Sequence, residues 1–230
     1  MIHPIRIDAK HRYFTPASPK DIRRYGFSEI CSAMGVTQPN PFRPMEYEAR
    51  RAEGVSIHKW FIFLASGKKP TSHPDERIAG RVEGIKRFFL DGPLTLIGGE
   101  TPKYDPATNT ACIPDFWCIR GLWSWVIDIK SGAKAKYHPL QTSCQKIALR
   151  ANGFEAQKRA ALYLRDGSYR LIEHDDRDDL PRWVAIAAGF HAMTPAERAA
   201  FAVAETEGDL PCSEHARIIQ NAFSARSHYL

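Results

Sequence analysis

The 230-residue sequence contains no apolar run near the roughly 20 residues that a bilayer crossing requires. Its opening, MIHPIRIDAKHRYF, lacks the apolar stretch of a secretory signal, so a cytoplasmic setting without membrane attachment is expected. Cysteine is sparse: Cys31, Cys112, Cys118, Cys144 and Cys212 are odd in number, widely spaced and free of any CxxC pair. That pattern suggests neither a disulfide framework nor a zinc knuckle and leaves reduced thiols as the simplest state. No Gly-rich phosphate loop is present, which argues against a nucleotide-driven motor or a dinucleotide-dependent enzyme. Internal repeats, low-complexity tracts and a Pro- or Gly-rich linker are also missing, so residues 1–230 read as one domain.

Hydrophobic residues make up 43% of the chain and charged residues 25%, enough apolar surface for a core and too much for intrinsic disorder. The net charge of +6 and pI near 9.1 suit a protein that meets a polyanion, because each neutralised phosphate releases condensed counterions.

Residues 1–44 are rich in Pro and turn formers, with an amphipathic stretch near Asp21–Met34 that suggests a helix. Gly54, Ile57, His58, Phe61 and Ala65 recur at steps of three and four, which predicts a helix from about Met45 to Ala65, stopped by Ser66-Gly67. Ser72, Pro74 and Asp75 open a second helix with Ile78, Val82, Ile85 and Phe89 down one side, closing at Asp91-Gly92. Strand signals over 94–97, 100–104, 111–119 and 122–130 form an antiparallel meander. Pro139–Asn152 is helical in pattern, and strands over 160–164 and 169–173 flank the turn Asp166-Gly167. The tail is helical from about Leu180 to His191 and again from the capping box Thr194-Pro195-Ala196-Glu197. This order describes an α/β domain on a mixed or antiparallel sheet, with a core of about 45–175 and helical extensions over 1–44 and 176–230.

Chemistry gathers where Ile113-Pro114-Asp115 and Ile127-Asp128-Ile129-Lys130 begin and end two strands joined near Arg120-Gly121. Side chains alternate faces along a strand, so Asp128 and Lys130 share one. A two-residue loop sets Asp115 diagonal to Asp128 and a four-residue loop sets it directly opposite, whereas a three-residue loop without a bulge turns it away. In the favoured registers two carboxylates converge between hydrophobic strands, a repulsion that a cation relieves. Oxygen ligands with open water positions suit Mg²⁺ or Mn²⁺ rather than zinc or copper. Such an ion deprotonates a water while an ammonium group stabilises charge building on a phosphate. The competing reading of the same residues is an aspartate after a Pro turn and an ordinary solvated Asp–Lys pair.

Together these residues resemble the PD-(D/E)XK nuclease superfamily, in particular its RecB-like branch of exonucleases, which includes many phage-encoded members. The motif stands here as Pro114-Asp115 followed by Asp128-Ile129-Lys130, preceded by helical Gly54-Val55-Ser56-Ile57-His58 and followed by Gln141, over a match of about Tyr47–Glu173. The resemblance implies an αβββαβ core, a mixed sheet flanked by helices, and metal-dependent exonucleolytic cleavage of DNA in phage or bacterial recombination or DNA processing. It implies Asp115, Asp128 and His58 as metal ligands, Lys130 as the catalytic lysine, and Gln141 beside them. Glu100 lies where the branch often has an acidic residue, and is a further ligand or a solvated turn residue.

Without the resemblance, His58 falls on an apolar helical stripe, where a lone His is more often a hydrogen-bonded core residue. Gly54 costs about 1 kcal/mol inside a helix, which suits close approach of backbone or substrate. Gln145 stands where the branch usually places Tyr. Iron–sulfur members need a cysteine cluster near the C-terminus, where this chain has Cys212 alone, so no iron–sulfur cluster is expected. Lys134, Lys136, Tyr137 and His138 suit phosphate contacts and base stacking beside the cut. Lys68, Lys69, Arg81, Lys86 and Arg87 are placed to widen that groove, and a charged helix face explains the last three equally well. Two other readings stay open: a nuclease-like module that grips DNA or a protein without cutting, and a metal hydrolase of small phosphoesters.

Overall fold

Extended N-terminal segments and one short helix come first in the computed structural model, which describes residues 4–8, 12–16, 21–37 and 44–198. They are β1 (Arg6–Ile7), β2 (Tyr13–Thr15), β3 (Ile22–Gly26) and α1 (Phe27–Ala33). The helical N-terminal extension expected from the sequence is therefore corrected to a mostly β one. Gly26 divides the amphipathic stretch: it ends β3, and its backbone N–H donates to Glu29 Oε2 at 2.8 Å to cap α1.

Next come α2 (Pro44–Ala65) and α3 (Glu76–Leu90). The start of α3 lies four residues beyond Ser72, its expected cap. His73 precedes a proline, which disfavours the helical conformation there, and the Asp75 carboxylate accepts from the Arg77 N–H at 2.9 Å instead. The chain continues through β4 (Leu94–Gly99), β5 (Lys103–Asp105), β6 (Thr110–Cys112), β7 (Phe116–Arg120) and β8 (Trp123–Lys130). It ends with α4 (His138–Ala151), β9 (Lys158–Arg165), β10 (Ser168–Glu173) and α5 (Asp179–Ala192).

The expected single meander is split between two sheets. Pro114 has no N–H to give to a ladder, so the run 111–119 breaks into β6 and β7. The β5–β6 hairpin joins the N-terminal strands in the order β1-β2-β3-β6-β5, with β3 and β6 parallel. The other sheet runs β10-β9-β8-β7-β4. Within it β4, β7 and β8 are antiparallel, α4 crosses over, and β9 returns parallel to β8 before folding back into β10. The result is a mixed α/β fold with two mixed sheets flanked by helices. Among the described residues no helix is long and apolar enough to cross a membrane.

Period-two alternation sends the two sides of this second sheet to different partners. Trp125, Ile127 and Ile129 of β8 pack with Phe116, Ile57 and Phe61 of α2, and Val82 and Phe88 of α3. Val126 and Trp117 turn the other way, toward Leu149 of α4. Cys31 and Cys144 are buried free thiols in a third cluster built around Trp183 and Phe190 of α5. Arg159 of β9 is buried as well; its guanidinium lies 2.7 Å from Asp179 Oδ2 and donates to the carbonyls of Pro139 and Asp176 at 2.8 and 2.9 Å. Thr194 and Glu197 cap the following turn reciprocally, at 3.2 and 2.6 Å. The tail beyond Arg198, with Cys212, lies outside the described residues.

The Asp166-Gly167 turn joins β9 to β10 as expected, and it lies against α3. Gly167 N–H donates to the Gly80 carbonyl at 2.8 Å. A methyl at Gly84 would come within 2.3 Å of the Ser168 carbonyl oxygen, which is backbone and has little room to yield. Gly84→Ala is therefore expected to destabilise the fold by about 1–3 kcal/mol despite its better helix propensity, measured as a lowered urea midpoint. An unchanged or raised midpoint would show that α3 does not sit this close to the hairpin.

Candidate active site

The β7–β8 ladder sets the site. Phe116 pairs with Ile127 and Arg120 with Trp123, around a turn of Gly121-Leu122 in which Gly121 takes φ +61. This is the register a four-residue loop demands, closed by one further pair. Continued one step past Phe116, it sets Asp115 opposite Asp128, and the Asp115 carboxylate accepts from the Ile129 backbone N–H at 2.5 Å. Asp115 itself stands just before β7, freed from the ladder by Pro114.

Asp128 is 1% exposed. Its Oδ1 accepts from Gln145 Nε2 of α4 at 2.7 Å. Lys130 Nζ lies 2.6 Å from Oδ2 in an ion pair, and among the described residues no other donor reaches that oxygen. The same ammonium donates to Gln141 Oε1 at 2.9 Å. Burial, then the charge of Asp128, pushes the Asp115 carboxyl up to about 7, against the pull of His58, Lys130 and the Ile129 N–H. Burial works against the charge on Lys130, but Asp128 and Asp115 outweigh it and hold its pKa above the ordinary lysine value.

His58, on α2, brings Nδ1 to 3.6 Å from Asp115 Oδ1 and 3.8 Å from Glu100 Oε1. Glu100 follows β4 in a left-handed conformation, φ 49, which its Cβ disfavours by about 1–2 kcal/mol. Its N–H meets the Pro114 and Asp115 carbonyls at 3.0 and 3.2 Å. The preceding Gly99 permits this, since a Cβ there would lie 2.5 Å from the Asp115 carbonyl oxygen. Gly99 was not singled out from the sequence; the signal was a pair of glycines closing a strand, a mark of close backbone approach. Gly54 behaves differently from expectation on the protein side, with no described atom within 4 Å of where its Cβ would be.

Of the basic segment after β8, Lys134 and Lys136 are exposed and Tyr137 is half-buried. His138 is not presented to solvent as expected. It is the first residue of α4, buried, with Nδ1 2.7 Å from the Tyr163 hydroxyl and 3.3 Å from the Ala135 N–H that donates to it. Burial, then Lys130, pushes its pKa down to about 4, so the ring is neutral near pH 7. A hollow of about 100 Å³ opens beside the segment, lined by Gly132, Lys134, Tyr163, Arg165 and Arg170 among others. Both arginines escaped the sequence reading, because only the Arg170–Tyr163 cross-strand pairing reveals their side of the sheet. Lys68, Lys69 and Arg87 are exposed, whereas Arg81 lies 3.9 Å from Glu53 and Lys86 2.6 Å from Glu83.

Among the described residues no three His, Cys, Asp or Glu side chains are gathered tightly enough to make a ready cage for a metal. Lys130 and Gln145 lie against the Asp128 oxygens. The donor set nonetheless fits a hard divalent cation: a buried Asp128 Oδ2 met by the Lys130 ammonium alone, an opposed Asp115, and His58 and Glu100 beside them. Compared with known protein families and with curated proteins, the chain matches none.

The opposed carboxylates imply a pH signature. In the fold Asp115 keeps its proton up to about pH 7, whereas the unfolded carboxyl releases it near 3.8. Below 3.8 both states are protonated and stability is unaffected. Stability then falls as pH rises toward about 7, and the deficit stays constant above it. Asp115→Asn removes this deficit, so in metal-free buffer its Tm relative to wild type is expected to rise between about pH 4 and about pH 8. A difference that does not vary with pH would contradict the juxtaposition of the two acids.

Proposed function

We propose that the chain is a divalent-metal-dependent deoxyribonuclease of the RecB-like PD-(D/E)XK kind, an exonuclease acting in DNA processing or recombination. The observation that carries the reading is that buried Asp128 and partly buried Asp115 stand opposite one another at the end of the β7–β8 ladder, with the Lys130 ammonium ion-paired to Asp128. A sheet gains nothing from two acids held opposite one another and largely out of water, so the arrangement makes sense where a cation and a phosphate are to be handled. The order of elements supports the same reading: two helices, then three antiparallel strands of one sheet interrupted by the β5–β6 hairpin of the other, a crossover helix, and a strand parallel to β8.

Asp115 and Asp128 would hold Mg²⁺ or Mn²⁺, with His58 and Glu100 completing the set from α2 and the turn after β4. When bound, the ion supplies a water made acidic enough to attack a phosphodiester at neutral pH. Lys130, kept charged by its acidic neighbours and aimed by Gln141, stabilises negative charge developing on the phosphate. Lys134, Lys136 and Tyr137 lie beside the site, and Arg165 and Arg170 extend a basic rim for the DNA backbone.

Purified protein is expected to degrade linear DNA with Mn²⁺ or Mg²⁺ and to spare closed circles, with Asp128→Ala and Lys130→Ala each losing at least about a hundredfold in rate. Variants as active as wild type would overturn the site assignment. A wild type that binds DNA salt-sensitively and cuts none with either metal would make the chain a binding module instead. On the inactive Asp128→Ala background, charge reversal at Arg165 and Arg170 is expected to weaken DNA binding and to flatten its dependence on log salt by about 0.9 for each duplex phosphate that is no longer neutralised. An unaltered slope would remove both arginines from the DNA path.

A further inference from the structure

Gln145 lies against Asp128 and the proposed nuclease chemistry has not used it. Both side chains are 1% exposed, and Gln145 Nε2 donates to Asp128 Oδ1 at 2.7 Å. The two remaining oxygens are buried and incompletely satisfied: Gln145 Oε1 has no hydrogen-bond partner, and Asp128 Oδ2 meets only the Lys130 ammonium of their ion pair. Native interiors seldom leave two such atoms on touching side chains.

The contact follows from how α4 lies along β8. Because β9 runs parallel to β8, α4 must travel back along the sheet, opposite to β8. Asp128 and Lys130, two apart on a strand, are separated by about 6.6 Å. Gln141 and Gln145, four apart on a helix, are separated by about 6 Å and share a face. The spacings match, so Gln141 meets Lys130 while Gln145 meets Asp128. One helical turn thereby reads both charged positions of the strand.

We infer that Gln145 is a positioning residue for cation binding. Holding Oδ1 stops the Asp128 carboxylate from rotating and commits Oδ2 to the ion. A hydrated divalent cation would add a second positive charge at Oδ2 beside the Lys130 ammonium and bring the O–H donors that Gln145 Oε1 lacks. An amide retained only for packing has no use for a half-satisfied state, which an apolar side chain of similar length avoids. The inference rests on the proposed metal site, and the experiment separates the two.

Mn²⁺ binding to the full chain is measured by calorimetry for wild type, Asp128→Asn and Gln145→Met, with folding checked by circular dichroism. Gln145→Met keeps the volume and removes the donor, so its Kd is expected to weaken about tenfold or more. Wild type that binds no Mn²⁺ would overturn the metal site and this inference together. Binding abolished in Asp128→Asn but undiminished in Gln145→Met would overturn this inference alone. A second measurement needs no folded variant: Mn²⁺ titrated into ¹⁵N-labelled wild type is expected to broaden the Gln145 side-chain amide ahead of that of Gln157, which bonds Ser124 at the far end of β8. Equal broadening of the two would also overturn it.

Discussion

Two carboxylates that face each other at the end of paired strands, one buried and the other partly so, constrain everything around them. A single ammonium cannot neutralise both, and the fold answers by letting Asp115 keep a proton well into the neutral range. Lys130 and Gln145 lie against Asp128, and the Ile129 N–H meets Asp115. Each partner comes from an element whose place is set by apolar packing elsewhere. The cluster joining α2 and α3 to the sheet, with Ile57, Phe61, Val82 and Phe88 fully buried, supplies the stability that this polar end consumes.

Charge is sorted by depth. The acids and Lys130 sit inside, and around the opening lie exposed Lys134 and Lys136 with Arg165 and Arg170. On the proposed reading, positive charge at the rim would draw a polyanion inward, while the acids at the centre would repel it until a cation sat between them. The net charge of +6 is thus compatible with an acidic centre, and the overall balance says more about the approach of a partner than about what happens on arrival.

What was legible in the sequence was local. The Asp166-Gly167 hairpin, the helical stripe through Ile57 and Phe61, and the shared face of Asp128 and Lys130 all follow from near neighbours and match the structure. What failed depended on distant pairing or on one residue overruling a pattern. Pro114 split an apparent strand and sent β5 and β6 to a different sheet. Gly26 turned half of an expected helix into β3. His138, polar and next to lysines, looked like a surface group, yet as the first residue of α4 it is turned against Tyr163. The proximity of His58 to Asp115 and Glu100 joins three separate elements, and periodicity within any one of them carries no trace of it.

Arg159 links parts of the chain that are otherwise only neighbours. From β9 it reaches Asp179 at the start of α5 and the Pro139 carbonyl in the first turn of α4, the helix that carries Gln141 and Gln145. The C-terminal helix is therefore a cross-tie under α4 and no detachable appendage. Cutting the chain ahead of residue 179 would strand a guanidinium beneath α4, and the damage would surface as a loosened grip on Asp128 and Lys130, far from the cut.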